Sequence, residues 1–410
     1  ESESTAESVS TADSANAAES TSAAESESTA ESVSTADSAN AAESASAAES
    51  VSTAESTSTA ESVSTPASAP AAENTTAAQP QADEVAIDET NFPDANFREF
   101  VKRYDTDKNG SFSQVELDAV TGIDASFKGI QSLKGIEYFT ALESLDVRSN
   151  QLTSLDVSGC TALTSLGVKQ NQLTSLDVSG CTALTSLDVG RLAFVIGDDD
   201  RNKLSSLDVS GCTALESLNV RNNQLTSLDV STNTALKSLE VGGNQLTELD
   251  VSKNTALTSL NVGNRDPLNG WAVGDNQLTE LDVSKNTALE SLDVSYNNLT
   301  SLDVSANTAL TNLDAGGNQL TTLDVSANTA LTKLNASSNQ HTTLDVSANT
   351  ALTELNASSN QFTTLDVSNN TALTYLRVSH SRQLTELDVS KNTALESLNV
   401  EFTKLTSLDV

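Results

Sequence analysis

The sequence predicts an α/β solenoid: short parallel strands stacked in a row, closed at the N-terminal end by a small helical cap and preceded by a disordered tail. Three observations predict it. One phrase of 21 residues recurs from about Val120 to Val410, a period that belongs to stacked units with no core of their own. A helical stripe and an acidic twelve-residue loop stand directly before the repeats. Residues 1–82 consist almost entirely of Ser, Thr, Ala and Glu, which cannot bury enough apolar surface to offset the entropy of ordering.

Composition narrows the function classes. The 410 residues carry a formal net charge of -36, with 3% aromatics, one Trp, two His, three Cys and no Met. Such a chain is repelled by phosphate, so a nucleic-acid role is close to excluded, and the same charge disfavours anionic bilayer surfaces. No apolar run approaches the roughly 18 residues of a membrane span. The absent Met and a C-terminus that stops inside a repeat lead us to expect a native chain longer at both ends.

The tail is the first segment. Glu1–Ser20 recurs letter for letter as Glu25–Ser44, and residues 1–82 hold 14 acidic residues and no Lys or Arg. A self-repelling spacer is expected, stiffened near its end by Pro66, Pro70 and Pro80. It serves either as a stalk, with Ser and Thr open to glycosylation, or as an inert linker.

Residues 83–119 form the second segment. Phe97, Phe100, Val101 and Tyr104 fall on one face of a helix. The loop that follows runs from Asp105 to Glu116 with the spacing of an EF-hand. Calcium, a hard cation, requires six to eight oxygens. Asp105, Asp107 and Asn109 offer side-chain oxygens at alternate places, and Gly110 permits the sharp turn. Ser111 offers its carbonyl, Ser113 a hydroxyl or a bridging water, and Glu116 both carboxylate oxygens. Ser113 and Glu116 also have capping-box spacing for the exiting helix, and Phe112 is expected to pack inward. Calcium is therefore the expected cofactor; the alternative is a helix–loop–helix cap that keeps the shape and seldom holds metal.

The third segment, residues 120–410, is the array. A degenerate copy, Val120–Ala141, precedes twelve copies that start at Leu142 and end, truncated, with the copy from Leu395. Each copy opens with L-x-x-L-x-L-x-x-N-x-L, with Val or Ala at the third apolar place. This resembles the bacterial extracellular leucine-rich-repeat proteins. It is most similar to internalin-like surface proteins in which an EF-hand-like cap precedes 21-residue repeats. The resemblance implies a leucine-rich-repeat array with a concave parallel sheet, an extracellular location, secreted or displayed on the cell surface, and protein binding of an adhesin-like kind.

Three columns run along the array. The Asn at the ninth place (Asn171, Asn223, Asn244, Asn297, Asn318, Asn339 and Asn360) is expected to turn inward and satisfy backbone groups of neighbouring copies. A second column reads Cys160, Cys181 and Cys212, then Asn in every later copy; buried, unpaired thiols acting as small core groups are expected. A third carries Asp once per copy, from Asp156 to Asp409. Carboxylates stacked at that spacing repel, so neighbouring Ser and Thr donors, water or cations must screen them.

A partner should be sought where copies differ. The place two residues after each opening Leu is Ser in the first seven copies. It then becomes Asn312, Lys333, Glu354 and Tyr375 before Ser returns at Ser397. With Tyr296, Arg377, His380 and Phe402 beside them, these form a candidate binding patch of aromatic and Arg anchors; drift on an exposed sheet is the alternative. Two insertions follow strands, Arg191–Lys203 and Gly263–Gln277, the second holding Trp271, also a candidate partner residue. Nothing supports catalysis: His341 replaces a core Leu, and no hydrolase triad, zinc motif or phosphate loop is present. The expected function is recognition of a protein or glycan outside the cell. The alternatives are a structural spacer presenting a further domain and, more remotely, an ice- or cation-binding repetitive face. Leu398, Val400 and Leu408 are expected near an open end able to self-associate.

Overall fold

The structure, a computed structural model, describes residues 84–191, 201–263 and 276–409. The expected stalk, residues 1–82, the centres of both insertions and Trp271 lie outside the described residues. Among the described residues no helix is long and apolar enough to cross a membrane.

Each copy contributes one three-residue strand, and thirteen of these form a parallel sheet. The first is Gly122–Asp124 of the degenerate copy and the last Ser397–Asn399. The register is exact copy on copy: Ser144 faces Ser165, Leu145 faces Leu166, and the same holds across later pairs. The reason is period-2 alternation. The central Leu points into the core, as Leu166 and Leu292 do, while its two neighbours face the open concave side. The Val or Ala two residues on is buried as well.

Inside the turn that leaves each strand sits the Asn column. Asn171 Nδ2 donates to the carbonyls of Val168 in its own copy and Val147 in the preceding one, both at 3.0 Å. Its Oδ1 accepts the N–H of Leu152 at 3.0 Å. One side chain thus satisfies three backbone groups that a buried bend would leave unpaired. The ladder has members beyond those expected from sequence: Asn150, Asn202 and Asn276 make the same bonds. The returning convex segments are irregular, apart from Glu386–Asp388, which pairs with Ser407–Asp409. Just before the concave strands, Thr hydroxyls at the second place add links between neighbouring copies, such as Thr353 Oγ1 donating to Thr332 O at 3.0 Å.

The cap is continuous with this core. Helix α1 (Ala95–Val101) is N-capped by Asp94, whose Oδ1 accepts the Phe97 N–H at 2.9 Å. The other oxygen of Asp94 accepts the N–H of Gln131 at 2.8 Å, so one carboxylate both starts the helix and fastens it to the first turn of the array. Phe92, Phe97, Phe112 and Phe139 are fully buried, with Phe112 and Phe139 ring centroids 5.6 Å apart in an edge-on contact. The stripe from Phe97 to Tyr104 is helical throughout, though it tightens to a 3₁₀ turn over Lys102–Tyr104.

Candidate functional site

The acidic loop lies between α1 and helix α2 (Gln114–Asp118). A two-residue strand β1 (Val85–Ala86) pairs antiparallel with β2 (Ser111–Phe112), the loop's own strand. A single loop therefore obtains the backbone partner that a second loop would otherwise provide. Asp105 accepts the N–H groups of Asn109 (3.2 Å) and Gly110 (2.9 Å), which folds the loop around its carboxylate. Asn109 Oδ1 accepts the Ser111 N–H at 2.7 Å. Glu116 closes the ring: Oε1 accepts the Thr106 N–H at 2.7 Å, and Oε2 accepts the N–H and hydroxyl of Ser113 at 3.0 and 2.9 Å. The capping box is complete. These donors, with the Ser113 N–H foremost, hold the Glu116 carboxyl down at about 2, against the opposing effect of burial. Gly110 has φ of +84°, the left-handed turn that favours glycine.

One oxygen each from Asp105, Asp107 and Glu116 lie within 4.8 Å of one another, the only such acidic, Cys or His group among the described residues. Three converging carboxylates beside Asn109 Oδ1 and the hydroxyl of Ser113 form an all-oxygen donor set, which suits calcium and no softer metal. The residues present fit the ion expected from sequence.

On the concave face the structure brings Lys333, Glu354 and Tyr375 onto one rung of three adjacent strands: Lys333 faces Glu354, and Glu354 faces Tyr375. Lys333 Nζ and Glu354 Oε1 pair at 2.7 Å. Arg377 is on the same strand and face as Tyr375, and a groove of about 410 Å³ runs from Asp293 and Asp314 past Lys333 and Glu354 to Tyr375. Burial and the neighbouring Asp314 carboxylate push Asp293 above its ordinary range. A larger hollow of about 790 Å³ crosses the convex side over Asp229, Asp250, Asp282 and Asp303. Its Leu, Asp and Ser recur in copy after copy, while Glu248 and Glu280 replace the Ser of the flanking copies (Ser227 and Ser301) and make the hollow more acidic.

Tyr296 and Phe402 do not join the strand patch. They occupy the eighth place of their copies, in the turn, with φ of +53° and +57°. Phe127, Ser149, Gln170, His380 and others share that left-handed place in the copies without insertions. Phe402 is 65% exposed and lies against His380, ring centroids 4.5 Å apart; Phe127 at the far end of the column is equally exposed. Sequence reading set these aromatics beside the strand residues because it followed proximity in the chain, whereas the αL turn moves them to the rim.

The remaining columns match their expected roles. Cys160, Cys181 and Cys212 are buried and free, each thiol donating to a carbonyl of the copy before it, as Cys212 Sγ does to Val178 O at 3.5 Å. Burial raises all three thiols, Cys160 and Cys212 to about 11, which makes them inert at neutral pH. In later copies Asn donates twice instead: Asn233 Nδ2 reaches Val209 O and Cys212 O, both at 2.9 Å. From Asp156 to Asp388, each Asp of the third column accepts the N–H of the Ser two residues on, as Asp250 does from Ser252 at 2.8 Å. Those bonds hold the Asp carboxyls below their usual range in spite of the neighbouring charges. His341 is fully buried in a Leu place and lies parallel to Phe362, ring centroids 6.4 Å apart. Neither ring nitrogen has a hydrogen bond of good geometry. Burial lowers its pKa, an effect that the nearby Thr321 backbone partly offsets.

A family model described as Leucine Rich repeat matches residues 285–306. No curated protein matches the chain. Among solved structures, the functional domain of InlJ from Listeria monocytogenes, described as including a cysteine ladder, is 35% identical. The match covers 80% of this chain and 73% of that one, with a TM-score of 0.70. An internalin, inlF, from the same organism is 24% identical over 78% of this chain and 98% of that one, TM-score 0.58, a likeness of fold. YopM, a leucine-rich effector protein from Yersinia pestis, is 26% identical over 66% of this chain and 74% of that one, TM-score 0.50. With thirteen stacked parallel strands, an internal Asn ladder and more than a third of its aligned residues shared with InlJ, the chain belongs to the leucine-rich-repeat family.

Proposed function

We propose that this chain is a protein-binding module that works outside the cell, holding its partner against the later part of the concave sheet and using calcium to secure its cap. The observation that carries the reading is the break in a monotonous column. Seven copies present Ser, and the run Asn312, Lys333, Glu354, Tyr375 then follows on four adjacent strands, with Arg377 beside it. Aromatic and Arg side chains gathered on a rigid sheet are the usual anchors of protein recognition. Tyr296 and Phe402 would extend the contact along the rim. Family membership supports a non-enzymatic scaffold, since no catalytic constellation occurs among the described residues. An extracellular setting is consistent with a carboxylate loop of modest charge, suited to calcium at roughly 0.1–1 mM.

The test is comparative capture by the full chain and by a variant carrying K333A, E354A, Y375A and R377A, both immobilised at equal density with melting temperatures matched. A partner retained by the parent and lost by the variant supports the reading. The same proteins retained by both overturn it, and favour the spacer, which the seven uniform Ser rungs also suit. The calcium part is tested separately: the parent should melt higher in millimolar calcium than in chelator, and E116Q should abolish most of that difference.

A further inference from the structure

We propose that Arg377 is the anchor for a carboxylate on the partner, an acidic side chain of a peptide segment laid across the strands; this rests on the protein-binding reading above. Arg377 occupies the fifth place of its copy, where the eleven other copies carry Asp, Asn, Glu or Gly. It is therefore the one reversal of charge in that column, in a chain of net charge -36. The guanidinium is held rather than free to wander. Its Nε donates to Ser379 Oγ at 3.2 Å, and the fully buried Ser379 in turn donates to Ser358 Oγ at 3.1 Å. No carboxylate among the described residues pairs with it. Glu354, on the neighbouring strand, is already engaged by Lys333 at 2.7 Å. The terminal nitrogens, the fork that recognises a carboxylate through two parallel bonds, are left for a ligand.

The flanking residues define the ligand further. Asn356 and Asn399 face Arg377 in register on either side. Each amide oxygen already accepts a backbone N–H of its own turn, Asn356 from Ser358 at 3.2 Å and Asn399 from Glu401 at 3.1 Å, which fixes the side chain and leaves its N–H donors and a second oxygen lone pair for a ligand. They stand two strand spacings apart, roughly 9–10 Å, which is about three residues of extended chain. That span suits a peptide backbone bonded at both amides with its acidic side chain between them on Arg377. Tyr375, two residues before Arg377 on the same face, supplies the apolar contact. A phosphate or sulfate dianion would meet a single guanidinium within an acidic surface, whereas a monoanion is matched by it.

The experiment uses the full chain labelled with ¹⁵N-arginine, the Arg377 Nε–H signal being assigned by its loss in R377Q. Four probes are titrated at 0.15 M salt: acetyl-Ala-Glu-Ala amide, its Gln counterpart, D-glucuronate and inorganic phosphate. The Glu peptide should shift the Arg377 signal saturably, and the Gln peptide should bind about tenfold more weakly, as expected for loss of a charge-assisted pair. N356D and N399D, which keep the oxygen that accepts the Ser358 or Glu401 N–H and remove the amide donors, should each weaken the Glu peptide several-fold while the fold is retained. No saturable shift, or an equal response to the Gln peptide, overturns the proposal. Glucuronate or phosphate binding tighter than the Glu peptide overturns it in favour of an acidic glycan or a phosphorylated ligand. If the four-residue concave variant loses a captured partner while no probe moves Arg377, this anchor fails and the binding reading stands. If the probes bind at Arg377 but no captured partner depends on the concave residues, the binding reading fails and only a bare carboxylate site remains.

Discussion

The first and last rungs of the array share one sequence pattern and differ in what covers them. At the first, Leu142 and Leu145 are buried beneath Phe139, which packs edge-on against Phe112 and Tyr104 of the cap. At the last, Leu395, Leu398 and Val400 are half-buried, and Leu408 is 39% exposed. A repeat specifies the shape of its strand but not the closure of its core, and closure comes from residues that break the repeat. The cap closes with aromatics, one bifunctional Asp and a carboxylate loop, none of which occurs in the repeating phrase.

That contrast can be broken most directly in the core. Phe139→Ala should destabilise the array by about 3–5 kcal/mol, the usual cost of emptying an aromatic site. Leu398→Ala, half-exposed already, should cost less than about 1.5 kcal/mol by the same reasoning. Denaturant unfolding of the two variants measures both, and equal losses would mean that the two rungs are covered alike.

The next effect concerns calcium. With the ion at ten times its dissociation constant, the cap gains about 1.4 kcal/mol by mass action. Hydrogen exchange should therefore quicken over Leu142–Val157 when calcium is chelated or in E116Q, while rates from Leu395 onward stay unchanged. Equal quickening at both ends would remove the distinction.

Acid should separate cap from array through different windows. Glu116 is held at about 2 against an ordinary 4.5. Its contribution is complete above 4.5 and is lost as pH falls from there through about 2. His341 is shifted downward by burial from 6.5. Its site contributes fully above 6.5 and loses stability as pH falls below that value, because the unfolded chain takes up the proton first. H341L should therefore flatten the pH dependence of stability just below 6.5, leaving the lower transition in place. E116Q should do the opposite.

The smallest expected change is Cys181→Asn, within about 1 kcal/mol of the parent. Asn at that place in other copies donates to two carbonyls of the preceding copy, where the thiol donates to one.

How far the sequence could be read follows from which interactions are periodic. The strands, the buried Leu and Val places and the inward Asn are set by spacing within one copy, so they were legible in intact copies, although Asn150 at the ninth place of the first was passed over. Asn202 and Asn276 escaped because insertions push them well beyond the ninth place, although each still closes its turn. The fold of the loop from Asp105 to Glu116 was legible because its turn, its capping box and the convergence of its carboxylates follow from local spacing. Strand β1 was not: Val85 and Ala86 carry no signal until they are placed beside Phe112 and Ser111. The partner residues divided in the same way. Lys333, Glu354 and Tyr375 could be aligned by counting, while Tyr296 and Phe402 required the positive φ of the eighth place to show that they lie on the rim.

The ladder has a mechanical consequence. Each copy is joined to the next by strand bonds and by the Asn171 type of bridge, with nearly constant lengths, and by a Thr hydroxyl where the second place is Thr. A pull along the stack loads them in series, so the rung with the poorest cover gives way first. Releasing one copy of 21 residues frees about 70 Å of chain at roughly 3.3–3.6 Å per residue, in place of a rise of about 4.8 Å. Under tension the array should therefore lengthen copy by copy, a sawtooth in single-molecule force traces, with longer steps where the insertions Arg191–Lys203 and Gly263–Gln277 enlarge a copy. The capped end should come apart last, at higher force when calcium is bound.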